Sequence, residues 1–360
     1  MRILRVAQNV YPDRTGGASY HVQAMSRDQA AQGHDVTVLT TRGDTDQPRQ
    51  TTRDGYTVVR HNPGVTIAGN DISPGVARYL RGESAQFDVI HAHSHLYFST
   101  NLAALTRRFG GPPLAITNHG LYSQSAPVWA VGAYLRTLGR WTFNQSDAVF
   151  CYTDTDVGRL RDLGVTSPIE VVSNGVDTDL FTPEGPTSDR IDYDGATVLF
   201  VGRLVAGKRP GDAIEAVSRL PDELNAKLYI IGDGPLRADL EAMADEAVFL
   251  GTATYDEMPA LYRASDVLIL PSRAEGFPRA ILEAFASEVP VVTSRLDQTE
   301  PVVSDGGLAV EIGDIAGYAD ALERVLQAED PASGARETVL ERFRWTQTIE
   351  QTTAILDELT

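Results

Sequence analysis

The stretch Thr197-Val198-Leu199-Phe200-Val201-Gly202-Arg203-Leu204-Val205-Ala206-Gly207-Lys208-Arg209 decides how this chain is read. Its first five residues are β-favouring and do not alternate between apolar and polar, the pattern of a strand buried on both faces of a parallel sheet. Gly202 lets the chain turn tightly where the strand ends. Arg203 and Lys208 follow, just before the next helical stretch. Cations at that place, with the free N–H groups of a helix N-terminus, suit a diphosphate. Of the 31 basic residues only Lys208 and Lys227 are lysine, so a lysine at this point is not drawn from an abundant pool.

Similar runs lie on both sides of that stretch. Upstream they read Ile3–Ala7, Val36–Thr40, Thr57–His61, Val89–Ala92, Leu114–Thr117, Ala148–Tyr152 and Ile169–Val172. Downstream they read Leu228–Ile231, Val248–Leu250, Val267–Leu270 and Val289–Thr293. Amphipathic stretches such as Ser19–Gln32, Asp212–Arg219 and Leu236–Ala244 separate them. This alternation predicts doubly wound α/β domains, and 360 residues are enough for two. Asn174-Gly175, Pro183, Gly185-Pro186 and the charged 188–194 segment read as a linker. The expected division is an N-terminal domain over 1–172, a C-terminal domain over 173–342, and a closing segment over 343–360. Ligands of such sheets bind at the carboxyl ends of the strands, so two facing halves predict a cleft.

Two further segments carry chemistry. Gly232-Asp233-Gly234-Pro235 follows a strand like the start of a dinucleotide fingerprint, but Arg237 stands where its third glycine would fall. Then 271–284 runs from a buried strand through Glu275-Gly276-Phe277-Pro278 into a helix opening at about Arg279, with Glu283 inside it. The loop would offer free N–H groups to phosphate. Eight helical residues span roughly 12 Å, beyond the roughly 5–9.5 Å of a glycosidase acid/base pair. Glu275 precedes the helix, so this distance is not fixed, and the two glutamates fit separate hydroxyl groups of one long ligand better. The alternative for Glu283 is a solvated helix carboxylate.

The order Gly16-Gly17, Gly33-His34-Asp35-Val36, Asp88-Val89-Ile90-His91-Ala92-His93, Thr117-Asn118-His119-Gly120, Asn174-Gly175-Val176-Asp177, Val201-Gly202-Arg203-Leu204 with Lys208, Gly232-Asp233-Gly234-Pro235, and Glu275-Gly276-Phe277 through Glu283 resembles the retaining group 1 (family 4) glycosyltransferases of the GT-B fold. The likeness runs to Phe343-Arg344-Trp345. It implies two Rossmann-like domains facing across a cleft, the first on the acceptor side and the second binding the donor. It implies a nucleotide-diphosphate-sugar donor, no permanent cofactor and no metal. Arg203 and Lys208 would hold the diphosphate. Glu283 would take the ribose hydroxyls and Glu275 the donor sugar, with the backbone of Gly276, Phe277, Pro278 and Arg279 reaching sugar or phosphate oxygens. Gly16 and Gly17 would let the first loop approach the phosphates, Gly232 and Gly234 would line the nucleotide, and His119 would stand by the sugar. A final helix, about Thr346–Leu359, would return to the first domain. Two places depart from the family: Glu288 replaces a usual glycine, and the 294–299 segment lacks glycines expected before Glu300.

Charge adds expectations about setting. The net charge is −18, and basic residues comprise 29 arginines against two lysines, an acid excess suited to molar internal salt, where charges are screened within about 3 Å. A halophilic origin is the expectation, with high-GC codon usage the plainer explanation of the arginines. Residues 1–172 carry 16 basic and 14 acidic groups, residues 173–360 carry 15 and 35, and no Asp or Glu lies between Asp88 and Asp147. The 89–146 stretch, with Arg107, Arg108, Arg136 and Arg140 near Trp129, Tyr134, Trp141 and Phe143, is either half-core or a basic face for a glycan or lipid-linked acceptor and peripheral membrane contact. Nucleic acid is not an expected partner. Without an apolar span or signal segment, and with Cys151 as sole cysteine, a cytoplasmic location is expected, at the membrane's cytoplasmic face if the acceptor is lipid-linked. Rival readings are a GT-B nucleotide-sugar epimerase, a metal-dependent hydrolase using His91, His93 and His95 on one strand face, a pyridoxal enzyme on Lys208 or Lys227, and a non-catalytic sugar-binding homologue.

Overall fold

The computed structural model describes residues 1–360 apart from Thr15, Thr45, Ala68, Gln124, Ser125, Asp245 and Glu246, and the side chain of Pro301. The acid-free 89–146 stretch therefore falls partly outside the described residues, at Gln124 and Ser125. The chain forms two compact units, Met1–Ser173 with Gln347–Thr360, and Asn174–Thr346.

The first unit is built on an eight-stranded sheet. Across it the strands run Ile169–Val171, Ala148–Cys151, Leu114–Thr117, Val89–His93, Arg2–Val6, Asp35–Thr41, Tyr56–His61 and Gln50–Arg53. All neighbours are parallel except the last pair. The order of strands in the sequence reverses between Arg2–Val6 and Val89–His93. Apolar residues of these strands pack into two layers, one holding Leu4, Ile90 and Ile116, the other Ile3, Val38 and Val89. The helix Trp345–Glu358 brings Leu356 into the second layer, and its Thr353 accepts a hydrogen bond from Gln29 Nε2 at 2.8 Å.

The second unit has a wholly parallel six-stranded sheet, Val248–Gly251, Lys227–Ile231, Thr197–Val201, Val267–Leu270, Val291–Ser294 and Gly307–Val310. Numbered within the unit this is 3-2-1-4-5-6, with its switch between Thr197–Val201 and Val267–Leu270, where ligands of doubly wound sheets bind. The α/β architecture expected from the sequence is thus present in both units.

Four strands escaped the sequence reading. Gln50–Arg53 (Gln-Thr-Thr-Arg) is polar and pairs on the edge, Val65–Ile67 and Asn70–Ile72 form a separate small hairpin, and Gly307–Val310 begins on glycine. The 173–195 stretch holds no regular helix or strand, yet it is not a solvated linker: Val176 and Phe181 are fully buried, and Val176 bridges Arg344. That bridge, with the Phe343 ring tilted against Phe277 at 5.4 Å, keeps 343–346 in the second unit. No helix among the described residues is long and apolar enough to cross a membrane.

Candidate active site

In the second unit, three loops leave the carboxyl ends of three adjacent parallel strands. The strand Thr197–Val201 pairs with Lys227–Ile231 on one side and Val267–Leu270 on the other. The loops from Gly202, Gly232 and Pro271 are therefore neighbours before any side chain is considered. Arg273 N–H donates to Gly207 O at 2.8 Å, and Leu204 N–H to Asp233 O at 2.9 Å. A Cβ on Gly232 would stand 1.8 Å from Gly202 O, and one on Gly234 2.4 Å from Leu204 O. Those glycines are required by loop-on-loop packing, which gives them a role whether or not a nucleotide passes.

This packing brings Lys208 to Glu275. Lys208 closes a short turn, Ala206–Lys208, and its Nζ donates to Glu275 Oε1. The Glu275 carboxylate is almost wholly covered. Arg203 is exposed and makes no ion pair among the described residues, so it is a cation at the mouth of the loops without a fixed partner. The helix Arg279–Ala286 starts from Pro278 with no side-chain cap, and in its first turn Ile281 N–H donates to Pro278 O at 3.2 Å.

Glu283 is buried, not the solvated helix carboxylate of the alternative reading. Tyr262 Oη donates to its Oε2 at 3.0 Å and Arg279 Nε to Oε1 at 3.4 Å. Burial pushes its carboxyl above the usual glutamate range, with the Arg279 guanidinium pulling the other way. Arg279 lies over Tyr255 and Trp345 at 5.4 and 5.6 Å and donates to Tyr255 Oη at 2.6 Å. Trp345 entered the sequence reading only as part of Phe343-Arg344-Trp345. Tyr255 and Tyr262, which lie 20 and 13 residues before Glu275, were not singled out, and nothing local marks them.

The first unit places its candidates at its own switch point. Gly16, with φ +142°, precedes the helix Gly17–Ala31, and a Cβ on Gly17 would meet nothing within 4 Å. A shallow concavity opens there, lined in part by Asn9, Ser19, His93, Ser94, Tyr97 and His119. His119 follows the strand Leu114–Thr117, and both its ring nitrogens are engaged: Nε2 with His93 Nδ1 at 3.2 Å and Nδ1 with Tyr152 Oη at 2.6 Å. Burial lowers its pKa to about 4.

The expectation of three histidines on one strand face fails. The strand ends at His93, and Ser94 is left-handed at φ +66°. His95 is thereby turned to Phe143 and Tyr134, at 4.8 and 6.3 Å, whereas the His91 ring lies tilted against His93 at 4.4 Å. Among the described residues no group of three or more His, Cys, Asp or Glu is arranged to hold a metal.

Two α/β units, with loop-borne cations at the switch point of the second and histidine-bearing loops at that of the first, have the architecture of GT-B glycosyltransferases. Residues 15–180 match the family model described as Glycosyltransferase Family 4, and 195–328 match the one described as Glycosyl transferases group 1. A D-inositol 3-phosphate glycosyltransferase of Acidothermus cellulolyticus is 31% identical over 93% of this chain and 84% of its own length. A glycogen synthase of Mycobacterium tuberculosis is 30% identical over 98% and 94%. Among solved structures, sucrose-phosphate synthase from Thermosynechococcus elongatus superposes with TM-score 0.84 at 20% identity, over 99% of this chain and 98% of its own. Anabaena HepE, solved with UDP and glucose, gives 0.81 at 19% over 99% and 100%. The chain belongs to the group 1 glycosyltransferases of the GT-B fold.

Proposed function

We propose that this glycosyltransferase moves a hexosyl group from a nucleotide-diphosphate sugar to its acceptor with retention of anomeric configuration and without a metal. The carrying observation is Lys208 held on the covered Glu275 at the sheet's switch point, with Arg203 open beside it. When the bond from the anomeric carbon to phosphate oxygen breaks, negative charge gathers on the diphosphate. Preorganised cations and amides aimed there are usually the largest catalytic term. Arg203, Lys208 and the amides of Gly276, Phe277 and Arg279 would meet that charge. Glu275 would hold the sugar, and Glu283, as carboxylate, would accept from ribose hydroxyls. The acceptor oxygen then bonds the anomeric carbon on the face the diphosphate leaves, and a departing phosphate oxygen takes the acceptor's proton.

UDP-sugars are the first donors to test, since HepE was solved with UDP and UDP-glucose. The relatives' name suggests a phosphorylated acceptor. The test is the thermal midpoint in molar salt, which also examines the halophilic reading, against UDP, GDP, ADP, dTDP and their sugars. A ligand bound only by the folded form raises the midpoint. A rise with one nucleotide supports the donor reading, and product NMR with chelator present then checks retention, metal independence and the epimerase alternative. A folded protein that responds to none sinks it.

A second reading, of a lipid-linked acceptor at the cytoplasmic membrane face, is favoured by one surface. Helix Phe98–Arg108 lies beside the 128–143 helical run, joined by Asn101 Nδ2 to Tyr134 Oη at 3.0 Å and Thr142 Oγ1 at 2.7 Å. Their outer residues leave Phe109 81%, Val128 77% and Trp129 77% exposed, near Arg108, Arg136 and Arg140, which make no ion pair among the described residues. Apolar side chains beside unpaired arginines suit an anionic bilayer. Co-sedimentation with anionic vesicles that survives Trp129→Ser together with Arg136→Glu and Arg140→Glu would remove this reading.

A further inference from the structure

Arg5 is a fully buried guanidinium with no carboxylate partner among the described residues. Its Nη1 donates to Ser26 Oγ at 2.9 Å and its Nη2 to Gln29 Oε1 at 2.6 Å, and Nη2 also faces His91 Nδ1 at 3.4 Å. A guanidinium can only donate, so His91 Nδ1 is the acceptor and carries no proton. His91 Nε2–H is then the donor to Thr117 Oγ1 at 2.7 Å. Arg5 thus sets the tautomer of His91. From His91 a row continues outward: its ring lies on His93 at 4.4 Å, His93 Nδ1 meets His119 Nε2 at 3.2 Å, and His119 Nδ1 meets Tyr152 Oη at 2.6 Å. His21 stands against the row from the helix Gly17–Ala31, 5.7 Å from His93 and 5.3 Å from His119.

Among the described residues, the charged or titratable groups named as acting on the row or touching it are potential cations or neutral phenols, His95 among them. Arg5 comes from the central strand, His21 from the helix, and Tyr152 from the end of Ala148–Cys151, with Tyr56 acting on Arg5 from the strand Tyr56–His61. Among the described residues no carboxylate acts on His91 or His93, and burial alone lowers His119. A proton added to the row is opposed both by burial and by a fixed positive charge. Burial lowers Arg5 itself only to about 9, so it remains a cation at neutral pH.

We propose that Arg5 is a positioning residue for His119: it fixes the tautomer of His91, and its buried charge keeps the His91–His93 pair against which His119 rests free of an added proton. A sugar losing its leaving group develops positive charge at the anomeric carbon. A neutral ring beside that centre does not repel it, whereas an imidazolium would. The proposal rests on the reading that His119 stands by the transferred sugar.

The test uses the full chain with Arg5→Met, Arg5→Lys and Gln29→Glu. Gln29→Glu keeps the shape of the site and sets a carboxylate against Arg5, so it cancels the charge even if Arg5→Met fails to fold. Imidazole signals of the seven histidines are followed against pH by nitrogen NMR, together with kcat. Removing or cancelling the cation raises the pH at which the row takes a proton. The acid limb of kcat is expected to move up by about one pH unit in Arg5→Met and Gln29→Glu, with row signals titrating in step, and Arg5→Lys is expected to restore the wild-type limb. Row signals and acid limb unmoved in every folded variant would overturn the proposal. The reading beneath it fails separately, if His119→Ala turns over normally.

Discussion

Arg5 of the first unit and the site charges of the second are buried in opposite ways, although elsewhere the first unit also pairs the buried Arg60 with Asp13. In the second, buried charges are paired: Lys208 with Glu275, and Arg279 with Glu283. In the first, Arg5 is deeper than any of these and faces only neutral dipoles and histidines. A pair that a ligand must enter can exchange one partner for a phosphate or a hydroxyl, so pairing in the free protein keeps the groups charged and in place until the ligand arrives. An unpaired cation behind a row of rings exchanges nothing. It acts through its field, which a carboxylate would cancel.

The largest effect should come from breaking the pairing. Lys208→Ala and Glu275→Ala are each expected to lower turnover about 100- to 1,000-fold while circular dichroism stays native; initial rates near those of the parent chain would show that the pair is structural. Next comes Glu283→Gln, which keeps the shape but loses a charged acceptor. It should weaken nucleotide binding about tenfold, measured by calorimetry. Because burial raises the Glu283 pKa, the folded protein holds this proton more tightly than the unfolded chain. Its contribution to stability is therefore greatest at low pH and falls as pH rises from the ordinary glutamate value through the raised one. Melting curves of Glu283→Gln should lack that decline, and nucleotide affinity of the parent chain should fall on acidification through the same window.

The smallest expected effect separates backbone from site. Glu288 follows the helix Arg279–Ala286 and is left-handed at φ +58°. This explains physically why glycine is usual there in the family that the sequence resembles. Glu288→Gly should raise stability by about 1 kcal/mol, read by denaturant titration, with kcat unchanged. A fall in kcat would mean that the carboxylate, not only the backbone, belongs to the nucleotide pocket.

What could be read in the sequence was whatever is local or periodic. Val267–Leu270 and Leu114–Thr117 were placed at their observed bounds, because strands buried on both faces leave unbroken apolar runs. Gln50–Arg53 was missed because an antiparallel edge strand needs no apolar side chains. Lys208 and Glu275 were both marked by their loops, but their pairing depends on Thr197–Val201 lying next to Val267–Leu270, and strand order is not written in any one segment. The Tyr262 hydroxyl on Glu283 and the Arg5 guanidinium on His91 are contacts across 21 and 86 positions. Nor did alternation alone reveal that Ser94 turns His95 away from His91 and His93, because a left-handed serine carries no reliable sequence mark.

The first unit is discontinuous in the chain: it is finished only by Gln347–Thr360. Thr348 Oγ1 donates to Ser173 O at 2.9 Å, so the two ends of the interruption meet, and the second unit is in effect a 173-residue insertion between them. During synthesis at about 5–20 residues per second, the eight-stranded sheet would wait on the order of ten seconds for Leu356 and Thr353 while the other unit is made and folded. For that interval the apolar layer around Val36, Val38 and Val89 lacks part of its cover, and the nascent chain is a better client for a chaperone than the finished protein is.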